Sequence, residues 1–469
     1  MVFEILYFLI LASSILLVIL ENRRPGIAIF WVMVLTLLPV VGLVLYFIFG
    51  KDHRSHRVIR ADEMQRLTTL RDQANNNHII LAPTDDKYTK LASMMRGAND
   101  APLFCGNDTR IFTDFTPMFQ SMLDDIAGAK QYVHIQFYKI EEDVVGRQLA
   151  NMLVEKAQQG VDVRLMYDSF ANLFVRPRYY RMMRNGGVKV QPFLKFLPSL
   201  FSRNVNCRTH RKIVVIDGGI GYTGGMNIAR RYRDGISHGV WRDTHIRLYG
   251  PAVSQLEVAL LADWRFCTKE LLDDSRYFPF LEPSSSNRQC QVVTSSPMDS
   301  WNTVMQGMVQ IIAQSRRYLY LQTPYFIPTE PILLALRNAA IAGVDVRIMM
   351  PASANRTAVM LLASESYFEE VMQAGVKVYL YQRGYMHAKT MVCDDDFVTI
   401  GSSNIDSRSM EQNFEANVFI YDAGMAVRQR DIFLDDVKSS ILVDPALWKR
   451  RSPWHRLLES LFRLLTPLL

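Results

Sequence analysis

Apolar residues fall along this chain in three regimes. Residues 5–20 form an uncharged run, Ile-Leu-Tyr-Phe-Leu-Ile-Leu-Ala-Ser-Ser-Ile-Leu-Leu-Val-Ile-Leu, and Gly26 to Gly50 form a second. At about 1.5 Å per residue, each is long enough for a bilayer-spanning helix, the first with the help of Val2 and Phe3. The pattern therefore predicts a transmembrane helical hairpin over 1–50. A cleaved leader would want a basic start and a small-residue exit, but Glu4 precedes the first run and Glu-Asn-Arg-Arg-Pro follows it. Trp31 and Tyr46 lie toward the two ends of the second run, and Pro39 inside it is tolerable in a membrane helix. Residues 51–100 are polar and read as a partly helical neck.

From Ala101 the periodicity changes. Gln131–Tyr138 alternates as a strand does, whereas residues 144–159 set Val145, Leu149, Met152 and Leu153 on one helical face. Gly160 stops that helix, and Gly160-Val-Asp-Val-Arg-Leu-Met opens the next strand. Strand, helix, strand predicts a βαβ unit in an α/β domain with a largely parallel mixed sheet flanked by helices. The order then recurs. Gln314-Ser-Arg-Arg-Tyr-Leu-Tyr-Leu-Gln-Thr matches Gly128-Ala-Lys-Gln-Tyr-Val-His-Ile-Gln-Phe, Gly343-Val-Asp-Val-Arg-Ile-Met matches the segment at Gly160, and Gly375-Val-Lys-Val matches Gly187-Val-Lys-Val. Two duplicated domains are expected, over 101–282 and 283–446, with the turn-rich Pro283-Ser-Ser-Ser-Asn-Arg at their seam. Residues 447–469 are short, basic and amphipathic, with Trp454 near the start, and suit an interfacial helix. The apolar stretch 193–201 also suits a membrane surface.

The duplication carries the chemistry. His210-Arg-Lys-Ile-Val-Val-Ile-Asp-Gly-Gly-Ile-Gly-Tyr-Thr-Gly-Gly-Met-Asn227 and His387-Ala-Lys-Thr-Met-Val-Cys-Asp-Asp-Asp-Phe-Val-Thr-Ile-Gly-Ser-Ser-Asn404 share one spacing. His210 pairs with His387, Lys212 with Lys389, Asp217 with Asp394, Gly225 with Ser402 and Asn227 with Asn404. On a strand, residues i and i+2 share a face, so each His and its Lys project together. Asp217 and Asp394 stand an odd step beyond each Lys and turn to the other face, which suits a structural part in the motif. A Gly-rich turn lets backbone approach a ligand, where Asn227, Ser402 and Asn404 can donate. Two imidazoles beside two ammonium groups suit a phosphoryl group: one ring attacks phosphorus while the other moves the proton. Downstream, Trp241-Arg-Asp-Thr-His-Ile-Arg-Leu-Tyr aligns with Asn413-Phe-Glu-Ala-Asn-Val-Phe-Ile-Tyr. Asp243 and Glu415 are therefore candidates to hold the imidazoles in one tautomer.

Composition narrows the setting. The net charge of +7 is compatible with nucleic acid or an anionic membrane and does not choose between them. The five cysteines are scattered, odd in number and free of Cys-x-x-Cys, against a disulfide framework or zinc site and toward a reducing compartment. Neither a metal nor another cofactor is called for, since the lysines can supply positive charge. Basic residues beyond the second run, Lys51, Arg54, Arg57, Arg60, Arg66 and Arg71, outnumber Arg23 and Arg24 in the connection, which places the body on the cytoplasmic side.

The paired motifs resemble those of the phospholipase D superfamily, and the whole chain resembles a bacterial cardiolipin synthase with two N-terminal membrane spans. Leu321-Gln-Thr-Pro-Tyr-Phe-Ile-Pro carries the likeness alongside the motifs. The resemblance implies one site between the halves and transfer of a phosphatidyl group from one phosphatidylglycerol to another, releasing glycerol. It further implies a phosphohistidine intermediate in a bacterial inner-membrane enzyme. It casts His210 as nucleophile, His387 as acid/base, Lys212 and Lys389 as phosphate neutralisers, and Asn227 and Asn404 as contacts to phosphate oxygens. Gly-Ser-Ser-Asn at 401–404 departs from the expected Gly-Thr-Ala-Asn. Hydrolysis, transfer to another alcohol and, from another class, a tethered phosphodiesterase or nuclease share the motif. Two spans, the apolar stretch before the first motif and an amphipathic tail argue against a nucleic-acid partner. Dimerisation is left open.

Overall fold

The computed structural model of the chain describes residues 2–20, 25–49, 58–194, 207–237, 239–352, 358–464 and 466. Strand-forming segments of the first half are β1 (Leu103–Phe112), β2 (Tyr132–Phe137), β3 (Asp162–Asp168), β4 (Lys189–Phe193), β5 (Ile213–Ile216), β6 (Ile220–Gly224) and β7 (His245–Tyr249). Those of the second are β8 (Arg288–Ser295), β9 (Tyr318–Gln322), β10 (Asp345–Pro351), β11 (Lys377–Tyr381), β12 (Thr390–Cys393), β13 (Phe397–Gly401) and β14 (Asn413–Tyr421). The first sheet runs β4-β3-β2-β5-β6-β7-β1 and the second β11-β10-β9-β12-β13-β14-β8, so one topology occurs twice. β8 pairs antiparallel with β1, Cys290 opposite Phe104, and fuses the two into one sheet.

Each half is more antiparallel than the sequence pattern predicts. Of the six pairings that join these seven described strands in each half, two are parallel, β4–β3 and β3–β2 in the first and β11–β10 and β10–β9 in the second. The βαβ reading holds where a helix such as Val144–Gln158 connects the strands. Past that unit, each motif strand turns back on itself in a tight hairpin: β5 into β6 and β12 into β13. A hairpin can only be antiparallel, and the next strand returns beside it. Asp217 and Asp394 make the turn, at φ 48° and 55°. Aspartate tolerates this left-handed region better than most residues. β5 and β12 are buried along their whole length, as their apolar sequences require.

The N-terminal apolar runs form α1 (Val2–Leu20), α2 (Pro25–Leu37) and α3 (Pro39–Phe49). The second run breaks at Leu38, and Trp31 and Tyr46, on opposite sides of the break, meet edge-on at 5.4 Å. The run predicted as one continuous span thus folds back on itself, at a proline nitrogen that cannot donate a helical hydrogen bond. Among the described residues no helix is long and apolar enough to cross a membrane.

Residues 61–99 pack against the body and do not stand apart as a neck. Arg71, in α4 (Ala61–Asn75), is 1% exposed and donates to Gln255 Oε1 at 2.5 Å and to the Asp100 carbonyl at 2.8 Å. Ahead of α5 (Thr89–Asn99), Tyr88 is buried against Phe397 and Tyr421 of the second half, and Lys87 donates to Asp394 at 2.6 Å. The tail helix Pro453–Leu464 docks through its polar face: Arg451 joins Glu459 and Glu369, His455 meets Glu365, and Arg463 joins Glu370. Trp454, Leu457, Leu461 and Leu464 remain exposed on the other face. Most of the 193–201 stretch lies outside the described residues; Phe193, at its start, is core.

Candidate active site

Two short parallel ladders cross between the halves and set the site. Arg208–Thr209 pairs with the start of β14, Asn413 opposite Arg208 and Phe414 opposite Thr209. Val240–Arg242 pairs with Gly384–Met386. The His210 amide donates to the Phe414 carbonyl at 2.9 Å, and the His387 amide to the Arg242 carbonyl at 2.7 Å. Each histidine backbone is therefore bonded to the residue just before the other half's acid.

The side chains follow that register. His210 Nδ1 lies 3.0 Å from Glu415 Oε1 and 3.1 Å from Oε2, and His387 Nδ1 lies 2.5 Å from Asp243 Oδ2. The acid downstream of one motif serves the imidazole of the other. With Nδ1 held by carboxylate, each ring keeps Nε2 for chemistry. Tyr138 stands edge-on to His210 at 4.9 Å between ring centres, and Trp241, Tyr385 and Tyr232 wall His387 at 5.2, 5.9 and 6.0 Å.

Burial dominates the electrostatics. It pushes His387 down to about 3, with Lys389 acting the same way and Asp243 opposing. It also lowers His210, against the pull of Glu415. Burial brings Lys212 down to about 7 and Lys389 to about 8. For Asp243 and Glu415 burial works upward, yet their neighbours outweigh it and hold both carboxyls below the usual range: Lys389 and the hydrogen-bonded His387 for Asp243, the hydrogen-bonded His210 and Lys212 for Glu415. Lys212 Nζ donates to the His210 carbonyl at 2.6 Å and Lys389 Nζ to that of His387 at 2.5 Å. Among the described residues neither Nζ bonds a carboxylate, so both amines stay available to an anion, whose charge favours their protonated form.

The other sequence-predicted residues divide. Asp217 points away from the histidines and accepts from the amides of Lys130, Gln131 and Tyr132 at 2.7–2.8 Å. Asp394 does the same for Arg316, Arg317 and Tyr318. Both clamp the start of a neighbouring central strand. Asn227 accepts from the Lys139 amide and donates to the Tyr232 hydroxyl at 2.7 Å. Ser402 donates to Glu415 and accepts from the Ala416 amide, so its hydroxyl orients the carboxylate. Asn404 donates to Asp406 at 3.1 Å, while its Oδ1 is buried without a partner among the described residues.

Several positioning residues escaped the sequence reading. Gln136 donates to Asp263 at 2.7 Å, and Asp263 also holds Arg211, whose Nε reaches the Glu415 carbonyl. In the second half Gln322 donates to Asp436 at 2.8 Å, and Asp436 holds Arg242. Gln136 and Gln322 occupy equivalent places in the duplicated strands, and that match was the available signal. Among the described residues, acids and histidine grouped closely enough for a metal are Glu365, His455 and Glu459, on the docked tail.

A duplicated α/β sheet that closes two His–Lys pairs on each other's carboxylates defines a phospholipase D-like phosphoryl-transfer enzyme. A family model described as "Cardiolipin synthase, PLD-like domain" matches residues 122–238 and 308–437, and one described as "Phospholipase_D-nuclease N-terminal" matches 5–51. A cardiolipin synthase of Staphylococcus aureus (strain Mu50) is 34% identical over 99% of this chain and 95% of its own. One of Geobacillus sp. (strain WCH70) is 34% identical over 96% of this chain and 90% of its own. Among solved structures, a phosphatidylserine synthase of Haemophilus influenzae superposes with a TM-score of 0.59 at 13% identity, covering 86% of this chain and all of that one. The polyphosphate kinase of Porphyromonas gingivalis gives 0.51 at 12% identity, over 75% of this chain and half of that one; both show the fold alone. The chain belongs to the cardiolipin synthase family of phospholipase D-like proteins.

Proposed function

We propose that this phosphatidyltransferase makes cardiolipin and glycerol from two molecules of phosphatidylglycerol, with His210 as nucleophile and His387 as acid/base. The observation that carries the reading is the pair of imidazoles, each fixed through Nδ1 by a buried carboxylate of the opposite half. Neutral His210 attacks the donor phosphorus. The P–N bond forms as the P–O bond to glycerol breaks, and His387 gives the departing oxygen its proton. The bound phosphodiester anion, with Asp243, favours the protonated ring that this step requires. Neutral again, His387 takes the proton of the acceptor hydroxyl as oxygen displaces His210 from phosphorus. Lys212 and Lys389 stabilise the charge on the phosphoryl oxygens in both steps.

A membrane setting supports the same reading. Leu16, Leu17, Ile29, Met33, Val40 and Val44 on the N-terminal helices are exposed, as is the apolar face of the docked tail. Faces of that kind suit contact with lipid. We assign the body to the cytoplasmic side on its juxtamembrane basic residues. An impermeant thiol reagent added to intact cells should leave Cys105 and Cys267, both half-buried, unlabelled until lysis.

The test of the chemistry is labelled phosphatidylglycerol in vesicles, followed to cardiolipin and glycerol in a one-to-one ratio. With a chromogenic donor, His387→Ala should accumulate a phosphatidyl adduct on His210, located by peptide mass. An adduct on His387 in His210→Ala, with none in the converse variant, would invert the roles.

A further inference from the structure

Strand alternation puts Arg208, His210 and Lys212 on one face of a single segment, while Thr209 and Arg211 turn the other way, to Gln136 and Asp263. Arg208 is 5% exposed, and its Nη1 is buried with no acceptor among the described residues. The nearby Asp168 accepts instead from the amides of Phe170, Ala171 and Thr209 at 3.0, 2.8 and 3.3 Å. Arg208 lies 4.8 Å over the Phe170 ring. A second guanidinium belongs to the opposite half: Arg408, on the short helix Ser407–Glu411 that follows Asn404, is half-buried and acts on Arg208 as a like charge, while Asp168 attracts Arg208 more strongly. No ion pair or side-chain hydrogen bond joins either arginine to a partner among the described residues. Both act on Tyr138, the ring set against His210, and Lys212 Nζ lies 5.4 Å from the same ring.

Arg208, buried with a free Nη1 on the strand face of His210 and Lys212, adds a cation beside two lysines that already suffice for one phosphodiester, and Asp168 offsets its charge without taking its hydrogen bonds. A buried guanidinium N–H without an acceptor costs free energy that a bound anion would recover. The reaction supplies a second anion, because the acceptor carries a phosphodiester of its own, three carbons from the hydroxyl that attacks. We propose that Arg208, on the strand face of His210 and Lys212, forms with Arg408 of the opposite half a subsite for the phosphodiester of the acceptor lipid. This rests on the transfer reading above. The planar guanidinium fork suits two phosphoryl oxygens better than an ammonium does. Leu173 and Phe174, exposed on the loop that carries Phe170, offer an apolar surface where acyl chains of a lipid held there begin.

The subsite separates two reactions that share everything else. Exchange of labelled glycerol into phosphatidylglycerol needs the donor phosphate, both histidines and a neutral acceptor. Cardiolipin formation needs the second phosphate as well. Both are measured on full-length protein in vesicles of phosphatidylglycerol diluted in phosphatidylcholine, below saturation. Arg208→Gln and Arg408→Gln should each lower the ratio of cardiolipin formation to glycerol exchange by about tenfold or more, the usual effect of losing a charged hydrogen bond. Arg208→Lys should recover part of the ratio. Arg408, half-buried, supplies a variant that leaves the core intact should Arg208→Gln misfold. An unchanged ratio, whether both rates fall together or neither falls, overturns the subsite while the transfer reading stands. A wild-type enzyme that exchanges glycerol but makes no cardiolipin overturns the transfer reading, and the subsite with it.

Discussion

At the scale of single residues, the site is governed by what burial does to ionisable groups. Asp243 and Glu415 fix the imidazoles, so Asp243→Asn and Glu415→Gln keep the shape but lose the charge that orients and stabilises each ring. Each should lower kcat by roughly 10²–10⁴-fold with a smaller effect on KM, by analogy with loss of the acid from a catalytic triad. Steady-state rates on vesicles check it, and a fall in KM's favour alone would reduce the acids to structural parts. The lysines make a different prediction. Burial brings Lys212 to about 7 and Lys389 to about 8, while in the unfolded chain a lysine keeps its proton to about 10.4. Between those limits the unfolded state binds more protons than the folded one, so their contribution to stability rises with pH. Without lipid, Tm should gain more between pH 7 and 10 in wild type than in Lys212→Met/Lys389→Met, read by circular dichroism. At this scale the histidines, lysines and acids were legible from their repetition. Their crosswise partnership was not, because His210 and Glu415 are far apart in the chain and nothing local to either encodes the other. Arg208 was readable in principle, two places before His210 on the same strand face, but its counterpart two places before His387 is Tyr385, so no repeat marks it.

At the scale of elements, the helix-strand order was legible because one βαβ unit is local in sequence. Strand direction beyond it was not. β5 and β6, or β12 and β13, read as two apolar strands around a glycine- or aspartate-rich turn, and only that turn decides the pairing. The ladder between Val240–Arg242 and Gly384–Met386 is the element on which His387 depends. Its backbones meet at Gly384, φ 150°, where an added Cβ would fall 2.1 Å from the Val240 carbonyl oxygen. Gly343 also has a positive φ, 94°, but open space around it. Gly343→Ala should therefore cost about 1–3 kcal/mol of stability through backbone strain and spare the specific activity of folded enzyme. Gly384→Ala should lose activity beyond its stability cost, because the strand carrying His387 is pushed from Asp243. Chemical denaturation beside activity per folded molecule separates the two, and equal losses of activity would sink the idea.

At the scale of the whole molecule, the halves share one sheet through β1 and β8, and the segment at 61–99 straps across both. Tyr88 fills a pocket of the second half beside Phe397 and Tyr421. Tyr88→Ala should cost about 3–5 kcal/mol, the range for truncating a large buried aromatic. A denaturant midpoint shifted by much less would mean that the strap merely rests on the surface. The sequence concealed this docking because polar residues dominate the segment and its few apolar positions fall on one narrow face. The exchange of carboxylates between halves has a consequence for descent. Two copies of a single half, related by a two-fold axis, would build the same site, each lending its acid to the other's histidine. In such a pair every substitution lands twice, and the two stations stay identical. Once both copies lie on one chain, each position is inherited separately. Arg211 can face Asp263 where its counterpart is Ala388, and Gly225 can stand where the other half has Ser402. Fusion is thus what would allow the proposed division of labour, with one histidine as nucleophile and its twin as proton carrier.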